Sequence, residues 1–287
     1  MKKLAKDRAV KKPKEARKVF PKKSWVKICL SVFGMLIWVG VSVIVAQLLI
    51  GKIMVLMLGA EKFVQPVWTA VYSALSYIVA MVLVIFVPRA IVIKEVIVND
   101  GEKDGAVQHA HIFYPSSDRE GLGLRGLPTW TDIGLAPVGF IAYLLLAAGL
   151  VALFGLFPWF NASETQELGF SVYVTGFDRA VAFLTLVVVA PIAEEVIFRG
   201  WLYGKLRGKL SEKISNRLSV AISILLVSVL FGIVHMQWNV GVNVFAMSVV
   251  LCGLREITGT IYSGILLHML KNGVAFYLLY VLGGGLA

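Results

Sequence analysis

Apolar residues run along this chain in blocks too long for the core of a soluble domain, and short polar segments separate them. The blocks cover residues 25–50, 67–87, 133–157, 179–207, 218–235, 240–254 and 257–282. An α-helix crosses the hydrocarbon core of a bilayer in roughly 20 residues, with a range of about 17–25. The pattern therefore predicts seven transmembrane helices. The sixth block is short, so it either re-enters the membrane or begins earlier than its apolar edge. Residues 91–98 read differently: they are β-branched and partly alternating, a polar Gly-containing stretch follows, and a small β-hairpin is expected there. No internal repeat is evident. The fold class that follows is all-α, a polytopic helix bundle of about seven spans with a small polar loop that contains the hairpin.

Composition sharpens the reading. The chain is 58% hydrophobic with a mean hydropathy of +0.81, which favours the bilayer as its solvent. The net charge is +11. The first 27 residues hold 12 Lys/Arg against Asp7 and Glu15, so +10 of that charge sits there. A basic segment ahead of an apolar helix reads as a cytoplasmic flank held against anionic lipid. No aromatic interleaving or binding module accompanies it, and nucleic acid is not an expected partner.

The loops agree with a cytoplasmic N-terminus. Arg89, Lys94, Lys103, Arg119 and Arg125 then fall inside, as do Lys205, Arg207, Lys209, Lys213, Arg217 and Arg255, while residues 158–178 on the outside hold no Lys or Arg. The run from Trp25 is too long for a signal-peptide core and is expected to stay in the protein as an anchor. Cys29 and Cys252 both lie in apolar runs, where packing is expected rather than a disulfide. The expected organisation is a basic tail over 1–24, two N-terminal helices over 25–93, a cytoplasmic loop over 94–132 and a helical core over 133–287.

Ionisable residues inside the spans carry the candidate chemistry, because charge at membrane depth is costly and its default reading is functional. The fourth span contains Ala193-Glu194-Glu195-Val196-Ile197-Phe198-Arg199-Gly200. Glu195 and Arg199 are four apart, share a helix face and are expected to pair. Glu194 points about 100° away around the helix and is expected to be the freer base. The fifth span ends in Phe231-Gly232-Ile233-Val234-His235, and the seventh contains His268-Met269-Leu270-Lys271-Asn272, with His268 and Asn272 one turn apart. At about 1.5 Å per residue, Glu194 lies roughly 20 Å from Arg207, His235 roughly 27 Å from Arg217 and His268 roughly 17 Å from Ile257, so the three can share one layer. His109 and His111 are expected to be solvated loop residues rather than a metal site.

These three motifs, Glu194-Glu195 with Arg199, Phe231 with His235, and His268 with Asn272, resemble those of the CPBP family of intramembrane proteases. That family includes the CAAX prenyl proteases and bacteriocin-processing enzymes, and is also called the Abi family. Phe198-Arg199-Gly200, residues 254–259, and Gly123-Leu124-Arg125 with Trp130 and Asp132 resemble its bacterial members too. The resemblance covers roughly residues 120–282 and leaves the tail and first two spans outside.

The resemblance implies a membrane-embedded endopeptidase in which Glu194 activates water with help from His235. His268 and Asn272 would stabilise the oxyanion, and Glu195 and Arg199 would support the site. It implies a membrane-associated or leader-type peptide substrate and a bacterial plasma membrane. The metal stays open: the family is labelled metalloprotease, and Glu194, His235 and His268 would be the ligands of a zinc ion. Their origin on three different spans favours a site without tightly bound zinc. A non-catalytic scaffold or self-immunity protein of the same family is the alternative, and a proton-coupled transporter a weaker one.

Overall fold

The computed structural model describes residues 25–90, 92–98, 106–111, 121–161 and 176–282. The basic tail and most of the 158–178 loop lie outside them. Seven helices among the described residues are long and apolar enough to cross a membrane. They are α1 (Trp25–Leu58), α2 (Pro66–Ala90), α3 (Trp130–Phe154), α4 (Gly176–Ser211), α5 (Asn216–Ile233), α6 (Trp238–Thr258) and α7 (Tyr262–Phe276). A π-helical turn, Tyr277–Val281, continues α7. The protein is a multi-pass helical bundle, as the hydropathy pattern requires. The expected hairpin is present between α2 and α3, with β1 (Val92–Val98) antiparallel to β2 (Ala106–His111).

Several spans extend beyond their apolar blocks, and three boundaries near the motif residues bear on the site. The sixth span is 21 residues long and a full crossing, because it begins at Trp238, ahead of its apolar stretch. Polar Asn239 and Asn243 hide that first turn from a hydropathy reading. Each has a partner here: Asn239 donates to the Asn161 carbonyl, and Asn243 accepts from the Tyr143 hydroxyl of α3 at 2.6 Å. The seventh span begins at Tyr262 rather than at Ile257, since Gly259 ends α6 in the left-handed conformation, at φ 71°. His268 is thus in the second turn of its helix, roughly 9 Å along it. The fifth span stops at Ile233, and His235 stands on the turn beyond it.

α4 is the central helix. Of its apolar window 56% is buried inside the protein, against 17–44% for the other six. It is also irregular, with π-helical stretches at Leu184–Val189 and Glu195–Tyr203. Such stretches are rare and gather at functional sites. Around it, α1 packs on α2, α3 on α6 and α7, and α5 on α6. The outward faces of α1 and α3 carry exposed Leu, Ile and Val, as a lipid-facing surface does.

A lock at one end of the bundle fixes α3 and α7 against α4. The segment before α3 crosses Gly200 so closely that a Cβ there would lie 2.9 Å from the Leu122 carbonyl oxygen. The Gly123 carbonyl accepts from the Ile261 backbone at 3.1 Å, and Arg255 donates to the Gly121 and Gly259 carbonyls. Asp132 is buried at the centre. It closes a capping box with Thr129 and accepts from Thr260 at 2.6 Å and Ser263 at 3.0 Å. Replacing Asp132 with Ala strips those donors of their acceptor, which costs about 1–3 kcal/mol. Thermal unfolding in detergent is expected to show a lower midpoint for the Ala variant, and an unchanged midpoint would contradict this role.

Candidate active site

The π-helical geometry of α4 begins as a hydrogen-bonding problem. The Ala190 N–H turns back to the Thr185 carbonyl, five residues away. Leu186 thereby loses its α-helical donor, and its π-helical donor would be residue 191, which is proline and has no N–H. A carbonyl orphaned at membrane depth needs another donor. Asn272 of α7 supplies it, its Nδ2 donating to the Leu186 carbonyl at 2.8 Å. One of the two Asn272 amide protons is therefore committed to holding α7 against α4. The register it sets brings His268, one turn earlier, beside the two glutamates.

Glu195 and Arg199 are both fully buried and pair at 2.9 Å. The same Glu195 oxygen, Oε1, lies 3.1 Å from His268 Nδ1. His268 Nε2 lies 3.7 Å from Glu194 Oε2, so the imidazole sits between both carboxylates. An arginine-paired carboxylate is an acceptor, which makes His268 Nδ1 the protonated nitrogen and turns Nε2 toward Glu194. Space for this array comes from Gly264, where a Cβ would lie 2.9 Å from Glu195 Oε2. The Glu194 side chain keeps 12% exposure where that of Glu195 keeps none.

His235 approaches from the turn after α5. Its Nδ1 is 2.7 Å from the Phe231 carbonyl. A carbonyl only accepts, so Nδ1 carries the proton and Nε2 is left as the acceptor. Met236, the next residue, is held at φ 58°, a left-handed conformation that a non-glycine residue adopts only under constraint. Phe231 is buried between the two imidazoles, 4.9 Å from His235 and 6.1 Å from His268, with the Arg199 guanidinium 4.3 Å from its ring centroid. The geometry thus groups Glu194, Glu195, Arg199 and His268 in direct contact, sets His235 across the Phe231 ring, and ties Asn272 to the α4 backbone.

Two further groups face Glu194 that the motifs do not contain. α2 packs on the Ala190–Glu194 turn of α4 and turns the Tyr77 hydroxyl toward the Glu194 carboxylate, and Lys271 of α7 lies near enough for its charge to be felt there. A tyrosine in an apolar span reads as ordinary packing, and only the placement of α2 reveals this one. Lys271 stands between the two motif residues of α7, but its neighbours give no hint of which way it faces.

The residues do not fit a zinc ion as disposed. Among the described residues no three His, Cys, Asp or Glu side chains converge as metal ligands must. His268 and His235 each spend Nδ1 on a protein acceptor and keep Nε2, as zinc-binding histidines do, but Phe231 stands between the two rings. Cys252 is buried and free, and Cys29 is free on an exposed face.

Two substitutions test this construction. Gly264→Ala pushes a methyl group against Glu195 in a site with no room, and is expected to lower the unfolding midpoint in detergent. An unchanged midpoint would contradict the tight seating of Glu195. Asn272→Asp keeps the shape but replaces the donor, leaving the Leu186 carbonyl unpaired. It is expected to cost about 1–3 kcal/mol of stability, with an unaffected protein as the contrary result.

Residues 176–274 match the family model described as type II CAAX prenyl endopeptidase Rce1-like. No curated protein and no solved structure matches the chain significantly. The match spans α4 to α7 and contains all three motifs, and it identifies residues 176–274 as a domain of the Rce1-like type II CAAX prenyl endopeptidase family.

Proposed function

We propose that this protein is an intramembrane endopeptidase that hydrolyses a peptide bond of a membrane-associated or leader-type peptide, using water activated by Glu194 and His235. The observation that carries the reading is the arrangement of the two glutamates around His268. Glu195 is neutralised by Arg199 and spent on orientation, whereas Glu194 is the carboxylate with residual access. Buried hydrogen-bonded charge of this kind is costly in a membrane and is retained where chemistry needs it.

In this mechanism Glu194 takes a proton from water as the oxygen attacks the scissile carbonyl carbon. His235 Nε2 is an acceptor and assists by orienting that water. The tetrahedral oxyanion needs donors. Asn272 has its second amide proton for this purpose, and His268 donates when Nε2 carries a proton. Glu194 then returns its proton to the leaving amine. No serine or cysteine nucleophile takes part, and no step is routed through a metal. The family label of metalloprotease finds no support in the ligand geometry, so zinc is not proposed as a resident cofactor. The resemblance to bacterial family members favours a bacterial plasma membrane, and the charge pattern of the loops favours a cytoplasmic N-terminus whose basic tail lies on anionic lipid.

Purified protein incubated with a peptide library tests the proposal. Wild type is expected to release defined products, with Glu194→Ala and His235→Ala lowering the rate by about 100-fold or more. Equal products from all three would contradict an enzymatic site. Elemental analysis of the same preparation is expected to find no stoichiometric zinc, and zinc lost together with activity on chelation would overturn the metal-free mechanism.

A further inference from the structure

The family match begins at residue 176, yet one of the groups on Glu194 comes from α2, about a hundred residues earlier. Two observations independent of the motifs put α2 in register with the site. First, Thr185 of α4 donates through its hydroxyl to the Ala70 carbonyl of α2 at 3.3 Å, with both residues buried. Second, α2 and α4 are both even-numbered among successive crossings, so they traverse the membrane in the same direction. From the Thr185–Ala70 anchor, Tyr77 lies seven residues along α2, or roughly 10 Å, and Glu194 lies nine residues along α4, or roughly 13 Å in α-helical geometry. The π-helical stretch between Thr185 and Glu194 shortens the second figure, because π geometry rises less per residue. Ala70 and Tyr77 are two turns apart and share one face of α2. Ala80 continues that face and is buried, 3% exposed. Small residues thus let α2 lie close to α4 on either side of Tyr77.

We propose that Tyr77 is a positioning residue for Glu194, and that α2, outside the matched domain, therefore completes the active site. α2 packs on the Ala190–Glu194 turn of α4, and there the Tyr77 hydroxyl faces the Glu194 carboxylate, to which it is placed to donate. His268 meets the same carboxylate at 3.7 Å through Nε2. The phenol hydroxyl is the donor on one side of the carboxylate and the His268 ring bounds it on the other, which limits the orientations in which it can receive a proton from water. The phenol takes no part in bond making or breaking and exchanges no proton in the cycle.

This inference rests on the proposed hydrolytic role of Glu194. Tyr77→Phe removes the hydroxyl and keeps the ring that fills the space between α2 and α4. A hydrogen bond to a charged group contributes about 1.5–3 kcal/mol, so its loss from the transition state lowers kcat about 10- to 100-fold. KM is expected to stay within about twofold, since Tyr77 orients the base and does not hold the peptide. A purely structural tyrosine would move stability without producing that split. Tyr72→Phe is the control: its hydroxyl, on the same helix, donates to the Gln47 carbonyl of α1 at 3.4 Å, and its kinetics are expected to match wild type.

Unfolding midpoints of Tyr77→Phe, Glu194→Gln and the double variant, measured in detergent, read the contact without reference to activity. Non-additive shifts are expected. Additive shifts, or an active Tyr77→Phe protein with wild-type kcat, overturn the role of Tyr77 and leave the hydrolytic site standing. A wild-type protein that cleaves nothing overturns the hydrolytic reading, and the positioning role falls with it.

Discussion

Glu195 and Arg199 are buried completely, at a depth where either charge alone would cost several kcal/mol. Their pairing makes each tolerable, and the remaining geometry of the site follows from it. Glu195 Oε1 is shared with His268 Nδ1, so the ion pair also orients an imidazole. The other ring nitrogen of that imidazole then faces Glu194. An arginine therefore acts on Glu194 through two intervening side chains. The face of Phe231 lies against the guanidinium and separates this array from His235.

A site built on a central transmembrane helix needs neighbours to hold it, and each hold has a local cause. Pro191 removes a donor from α4, which leaves the Leu186 carbonyl to Asn272 and thereby sets the register of α7. Gly264 leaves room for Glu195. The Asp132 cluster fixes the ends of α3 and α7 beyond the site. Backbone irregularity at membrane depth is tolerated only where neighbouring groups satisfy the freed polar atoms, and α4 meets that condition at the Leu186 carbonyl. Asn272 consequently carries two duties: one amide proton is structural, and the other is the candidate for the oxyanion.

Much of this was legible in the residues alone. The seven spans follow from hydropathy, because the bilayer demands long apolar runs. The Glu195–Arg199 pair follows from i,i+4 spacing on one helix. The greater freedom of Glu194 follows from its angular offset, and it keeps the more accessible carboxylate. Contacts between helices distant in the chain were not legible. Spacing within α7 put His268 and Asn272 on one face but could not show that the first meets carboxylates and the second a backbone carbonyl. Tyr77 carries no motif signal, since its partner lies 117 residues away. The start of α6 stayed open between re-entry and an earlier beginning because Asn239 and Asn243 are polar, and their polarity is resolved only by tertiary hydrogen bonds. The start of α7 was missed because Gly259 reads as a minor interruption until its left-handed conformation is seen.

The protein has four histidines, which makes 15N NMR of histidine-labelled protein in lipid nanodiscs the most direct measurement of the central interaction. The geometry requires a proton on Nδ1 of His268, held by Glu195, and one on Nδ1 of His235, held by the Phe231 carbonyl. Glu195→Gln is expected to move the His268 Nδ1 resonance and leave that of His235 in place. A neutral His268 protonated on Nε2, or a His268 resonance indifferent to Glu195, would contradict the orientation of the site by the buried ion pair.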